Sequence, residues 1–178
     1  YATGPVRIGG ELIDARAYSA DRSGSVGTGE VNALELVQAY LGFDLGDVLG
    51  KGSETALEVG RFTMDLGSRR LVSRNNFRNT TNAFAGARVR WQGAGKGSVT
   101  AFYTLPLIRE PADKDSILAN AVKWDRESFD LVFWGGFASQ PVGGGATLEA
   151  YVYALDEDDS PKLQTRNRHL YTPGLRLF

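Results

Sequence analysis

Between Arg61 and Arg90 the chain carries seven arginines, namely Arg61, Arg69, Arg70, Arg74, Arg78, Arg88 and Arg90, with one acid, Asp65, and no lysine. That window has a net charge of +6 in a protein whose overall charge is −1. A guanidinium stays charged at every physiological pH, presents a planar fork that matches carboxylate and phosphate, and is more weakly hydrated than an ammonium. Arginine without lysine therefore points to recognition of planar anions. Two arrangements use these groups differently. Collected on the inner wall of a closed sheet, they make an anion-selective constriction. Bridged to Glu11, Asp14, Glu35, Glu58 and Asp65 from neighbouring strands, they make a structural ion network. A nucleic-acid partner is not expected, because the same groups would then sit in a domain of strongly basic balance.

Other chemistries are narrowed by what the chain lacks. It has no cysteine and a single histidine, His169, which removes thiolate centres and His-rich metal sites. His169 has no accompanying Ser or Cys motif that would make it a catalytic base. GAGKGS at Gly93 to Ser98 lacks phosphate-loop spacing and precedes a strand, so it reads as a hairpin turn. The acidic run from Asp156 to Asp159 lacks the spacing and glycine of a calcium loop and reads as solvated. No catalytic residue, metal or cofactor is expected.

Positioning the arginines falls to strands. Glycine is abundant, at 22 residues, and period-2 alternation returns repeatedly between turn signals. Between Asn32 and Asp44, Val37, Ala39, Leu41 and Phe43 oppose Gln38, Tyr40, Gly42 and Asp44. From Ala56, Leu57 and Val59 oppose Glu58 and Gly60 before Arg61 interrupts the apolar side. Ala85, Ala87, Val89 and Trp91 oppose Gly86, Arg88 and Arg90, and after GAGKG Val99, Ala101, Tyr103 and Leu105 oppose Ser98, Thr100, Phe102 and Thr104. A polar connection from Arg109 to Ser128 leads into FDLVFWGGFAS, followed by a strand with Leu148, Ala150, Val152 and Ala154 on one side and a last strand from Arg168 to Phe178. With VRIGGELIDARAY at the front, about eight antiparallel strands are predicted.

A soluble sandwich or lipocalin-like barrel and an outer-membrane barrel share this pattern, and alternation alone does not choose between them. Three features lean toward the membrane. The apolar sides are rich in alanine, which lipid tolerates better than a water-driven core does. Aromatic residues, Trp91, Tyr103, Trp124 and Phe129, fall near strand ends where interfacial girdles form. Arg and Glu occur in mid-strand on the opposite sides, which suits a wet lumen.

The segment GRFTMDLGSRRLVSRNNFRNTTNAFAGARVRW, preceded by LELVQAYLGFDL, closely resembles the signature region of bacterial alginate-export-type outer-membrane proteins. The matching residues are Gln38-Ala39-Tyr40, Gly60-Arg61, Arg69-Arg70-Leu71-Val72, Arg74, Asn75, Arg78-Asn79, Phe84, Gly86 and Arg88. The resemblance implies an all-β fold, an antiparallel up-and-down transmembrane β-barrel of even strand number, of which residues 1–178 form a single partial domain. It implies a location in the bacterial outer membrane and passive export of an acidic, alginate-like polyuronate through an arginine-lined lumen. Implied partners are the anionic polysaccharide, outer-membrane lipid and periplasmic assembly or export-complex proteins. Two other functions remain open on the residues. A soluble or surface carbohydrate-binding β-domain would use Trp124, Trp134 and Tyr151 as platforms, and a uronate polysaccharide lyase or hydrolase would use arginine to neutralise its substrate.

Overall fold

Alternation of period two builds nearly every element. The computed structural model describes residues 1–178, apart from the side chains of residues 2 and 3. Its strands are β1 (Ala2–Thr3), β2 (Val6–Ala15), β3 (Asn32–Gly46), β4 (Glu54–Phe62), β5 (Phe84–Gln92), β6 (Ser98–Pro106), β7 (Leu131–Gly143), β8 (Ala146–Glu157) and β9 (Arg168–Leu177), with one short helix, α1 (Lys114–Leu118). Among the described residues they form one sheet in sequence order, each strand antiparallel to the next. Eight of the nine are long, as the alternation predicts. The sheet is an up-and-down meander that does not close, with β9 at one edge and β1–β2 at the other. No helix among the described residues is long and apolar enough to cross a membrane.

The two ends of the sheet differ. Tight turns at 47–53, 93–97 and 144–145 join β3–β4, β5–β6 and β7–β8 at one end, and the connections 16–31, 63–83, 107–130 and 158–167 emerge at the other. The GAGKG segment is a hairpin turn closed by the Gly93 N–H donating to the Gly97 carbonyl at 2.8 Å.

Register sorts the side chains into rungs that run across all eight long strands. One rung is Ile8, Leu41, Val59, Ala87, Tyr103, Trp134, Ala154 and Tyr171; the next is Val6, Phe43, Leu57, Val89, Ala101, Gly136, Val152 and Pro173. Neither contains a charge, and large apolar members such as Ile8, Leu41, Val59 and Val152 are exposed. That is the apolar outer band of a membrane barrel. Trp134 and Tyr171 meet edge to face at 6.2 Å, and the Trp134 indole donates to Asp156 at 2.8 Å. Amphipathic rings anchored to polar groups at the limit of an apolar band are interfacial girdle residues. Tyr103 joins this rung inside β6 rather than at its end, whereas Trp124 and Phe129 lie on the 107–130 connection.

Alternate rungs face the other way. Arg7, Gly42, Glu58, Arg88, Phe102, Gly135, Tyr153 and Thr172 form one, and Asp44, Ala56, Arg90, Thr100, Phe137, Tyr151 and Gly174 form the next. This inner face differs from the hollow, wet wall expected. The 63–83 connection folds across it, and Met64 and Val72 pack with Phe62, Phe84, Phe102, Phe137 and Tyr153 in a buried cluster, with the half-buried Leu66 against it. Those aromatic rings on β4 to β8 need an apolar partner, and the connection supplies one. The face is thus polar toward the tight turns and packed toward the long connections.

Candidate functional site

The charged inner wall is built around Glu58. On β4 it stands directly across from Arg88 of β5, and Arg90, two residues further along the same face, reaches the same carboxylate. Arg88 Nε bonds Glu58 Oε2, and Arg90 Nη2 donates to Oε1 at 2.8 Å. The Glu58 side chain is only 2% exposed, and these two donors supply the hydrogen bonds that burial takes from water. Arg88 also donates to the Thr63 carbonyl at 2.9 Å and lies 4.6 Å over the Phe62 ring, which ties the wall to the start of the inserted connection. Beside it Arg7 of β2 bridges Asp44 of β3 at 2.8 Å. Arg7, Asp44, Arg90 and Thr100 line an open cavity of about 580 Å³ toward the tight-turn end.

The remaining expected arginines are dispersed. Arg74, on the connection, holds Glu11 of β2 through two guanidinium nitrogens, one at 2.9 Å, and Glu11 also accepts from Gln38 at 2.5 Å. Arg69 lies 3.9 Å from Asp65. Arg70 and Arg78 make no salt bridge to any acid among the described residues and are exposed. Arg61 belongs by register to the side of Leu57 and Val59, paired across from Ala39 and Ala85, and so not to the Arg88 rung. At the end of β4 its guanidinium donates to Glu35 at 3.0 Å, to Glu127 at 2.8 Å and to the Asp125 carbonyl at 2.9 Å. Four of the acids named as network partners, Glu11, Glu35, Glu58 and Asp65, are engaged by these arginines, whereas Asp14 binds Arg16. The ion network is therefore the arrangement present for most of these arginines, and Arg70 and Arg78, on the 63–83 connection, are bridged to no acid among the described residues.

Asp125 locks the long connections together. It accepts from Asn32 at 3.0 Å and from the Glu110 N–H at 2.9 Å, and its own N–H donates to Glu35 at 2.8 Å. Burial pushes its carboxyl above the usual carboxylate range, against the pull of those hydrogen bonds and of Arg109 and Arg61. Burial would also raise Glu110, but Lys123 and Arg126 outweigh it and hold that carboxyl low. Arg109, which donates to Asn82 at 2.5 Å, has its pKa lowered, first by burial. Arg7 and Arg176, also on the inner face, fall outside the arginine-dense window; their alternation with apolar neighbours in VRIGG and LRLF is the signal that marks them.

His169 contacts Asp156 at 2.9 Å beside the girdle, which gives it a structural partner. Among the described residues no cluster of three or more His, Asp or Glu side chains could hold a metal ion.

No curated protein and no solved structure gives a significant match to this chain. The family model described as "Alginate export" matches residues 2–178, essentially the whole length. With one antiparallel up-and-down sheet, an uncharged outer band and charged inner rungs, the fold is that of an outer-membrane barrel segment. The chain belongs to the alginate-export family of bacterial outer-membrane β-barrel proteins.

Proposed function

We propose that this chain forms one domain of a larger even-stranded barrel through which an acidic, alginate-like polysaccharide leaves the cell by passive, anion-selective diffusion. The observation that carries the proposal is the sharing of Glu58 by Arg88 and Arg90. One carboxylate neutralises one guanidinium, so the Arg88–Arg90–Glu58 cluster itself keeps one positive charge beside an open cavity that Arg7, Asp44 and the unbridged Glu54 also line. Arg70 and Arg78, with no acid bridged to them among the described residues, carry further positive charge on the 63–83 connection at the other end of the sheet. Arginines already bridged to carboxylates retain N–H donors for a passing uronate but do not hold it tightly, which conduction requires. No bond is made or broken, so the reading is of a conduit and not of a catalyst. Outer-membrane lipid is the partner of the uncharged rungs, and periplasmic assembly or export-complex proteins are partners at the tight-turn end. The long connections then face outward from the cell, as in membrane barrels generally.

The test is ion preference of the full-length protein in planar bilayers. Arg90→Gln leaves the Arg88–Glu58 pair neutral and removes the one extra positive charge of that cluster, so the anion-to-cation permeability ratio should fall by roughly twofold or more. An unchanged ratio would refute the role given to this wall.

A further inference from the structure

On the 107–130 connection Asp125 is a buried acid, 5% exposed, and no basic side chain among the described residues forms a salt bridge with it. Its carboxylate oxygens accept only from uncharged groups, the Asn32 amide and the Glu110 N–H. The oxygen of that same amide, Asn32 Oδ1, is buried and has no hydrogen-bond partner among the described residues. We propose that Asp125 is a proton-operated latch, whose carboxyl proton, donated to Asn32 Oδ1, tightens the long connections and whose loss loosens them.

The surrounding charges leave an ionised Asp125 poorly compensated. Glu35 of β3, 1% exposed, lies against it and accepts its N–H at 2.8 Å. Arg61 of β4 is close to both acids, but its guanidinium bonds Glu35, Glu127 and the Asp125 carbonyl rather than the Asp125 carboxylate. Arg109 stands near and hydrogen-bonds Asn82, while Arg78 and Glu30 act on it in opposite senses from the 63–83 and 16–31 connections. Glu110 is matched by Lys123 and Arg126. Two buried carboxylates thus share one close guanidinium, an arrangement in which one of the pair keeps a proton more readily than it would alone. The protonated acid donates to Asn32 Oδ1 and still accepts from the Asn32 N–H, so the pair is neutral and both polar ends of the amide are satisfied. The Asp125 carboxyl lies above its usual range, first through burial, which is the direction such a pair requires. A group whose pKa is raised by folding stabilises the folded form fully in acid, and that contribution is lost as pH rises through the folded value. The effect reaches beyond one connection. Asn120 exchanges hydrogen bonds with the Ala17 backbone at 2.8 and 3.0 Å, and Lys114 donates to the Gly24 and Val26 carbonyls at 2.8 and 2.7 Å, which ties 107–130 to 16–31. Both stand at the end of the sheet away from the tight turns, so the latch acts on the mouth of the barrel.

The experiment follows hydrogen exchange of the full-length protein in lipid vesicles across a series from about pH 5 to about pH 7.5, read as protection factors corrected for the intrinsic exchange rate. In wild type the amides of residues 107–126 should be about tenfold better protected at the acid end, with the β5–β6 hairpin unchanged. Asp125→Asn sets a permanent N–H donor opposite Asn32 Oδ1 and should give the high protection throughout the series. Glu35→Gln removes the neighbouring negative charge, makes Asp125 easier to ionise and should move the midpoint to lower pH. Wild-type protection that is equal at both ends would overturn the latch without recourse to any variant. An Asp125→Asn protein that keeps the wild-type pH dependence, or a midpoint that Glu35→Gln leaves in place, would overturn it as well.

Discussion

Glu58 shows how burial changes what a charged residue is worth. Its two partners are unequal, since the Arg88 side chain is 14% exposed and that of Arg90 45%. Exposed bridges contribute little, below ~1 kcal/mol, whereas removing the partner of a buried carboxylate costs about 3 kcal/mol or more. Arg88→Gln should therefore destabilise the protein by roughly 3 kcal/mol and Arg90→Gln by less than ~1 kcal/mol, read from urea unfolding in lipid vesicles by tryptophan fluorescence. Equal small losses would mean that Glu58 is not desolvated. At this scale the sequence shows the arginine surplus but not its partition. Seven arginines and Asp65 are legible in one window, yet Glu11, Glu35, Glu58 and Glu127 arrive from other segments through register and loop folding. Arg61 is the clearest case. Its interruption of the Leu57–Val59 side is visible in the sequence; the Glu35 and Asp125 contacts that accommodate it there are not.

Single elements differ in how openly the sequence declares them. The β5–β6 hairpin is plain, because small or apolar residues alternate with Arg88, Arg90, Thr100 and Thr104 on either side of a glycine turn. In β7 the run LVFWGGF is apolar on both sides, so alternation gives no sign that Phe133 and Phe137 turn inward while Trp134 turns outward. The 63–83 connection is harder still. Met64, Leu66 and Val72 follow no sustained period, and their burial is decided by aromatic rings from five other strands' inner sides, among them Phe102 and Tyr153. Close strand contact sets another constraint. Gly86 on β5, at φ +156°, has no space for a Cβ, which would overlap the Tyr103 carbonyl of β6. Gly86→Ala should cost about 1–3 kcal/mol in the same urea assay. Gly10→Ala, where the nearest atom to an added Cβ is 3.7 Å away, should change stability by less than ~0.5 kcal/mol. Comparable losses at both sites would show that the β5–β6 approach is looser than described.

For the molecule as a whole, the two sets of rungs define two solvents. Val152 lies in an uncharged rung and Thr100 in the rung of Arg90 and Asp44, so the same new charge should meet different surroundings. Val152→Arg should cost ~2–4 kcal/mol in a bilayer, the penalty for a cation on the lipid side near mid-depth, and Thr100→Arg far less. Equal penalties in vesicle unfolding would place both faces in one medium. The uncharged band ends at Arg61 on β4 and at Asp156 and His169 on β8 and β9, all toward the long connections, where polar groups again become frequent. Among the described residues each strand forms its ladders with its neighbours in the chain, and β3 adds one isolated bridge from Ala33 to Val122 on the 107–130 connection. Assembly can accordingly proceed like a zip, each arriving hairpin saturating the backbone groups left bare by the one before, so that at any moment only the advancing front is raw and no distant partner has to be found.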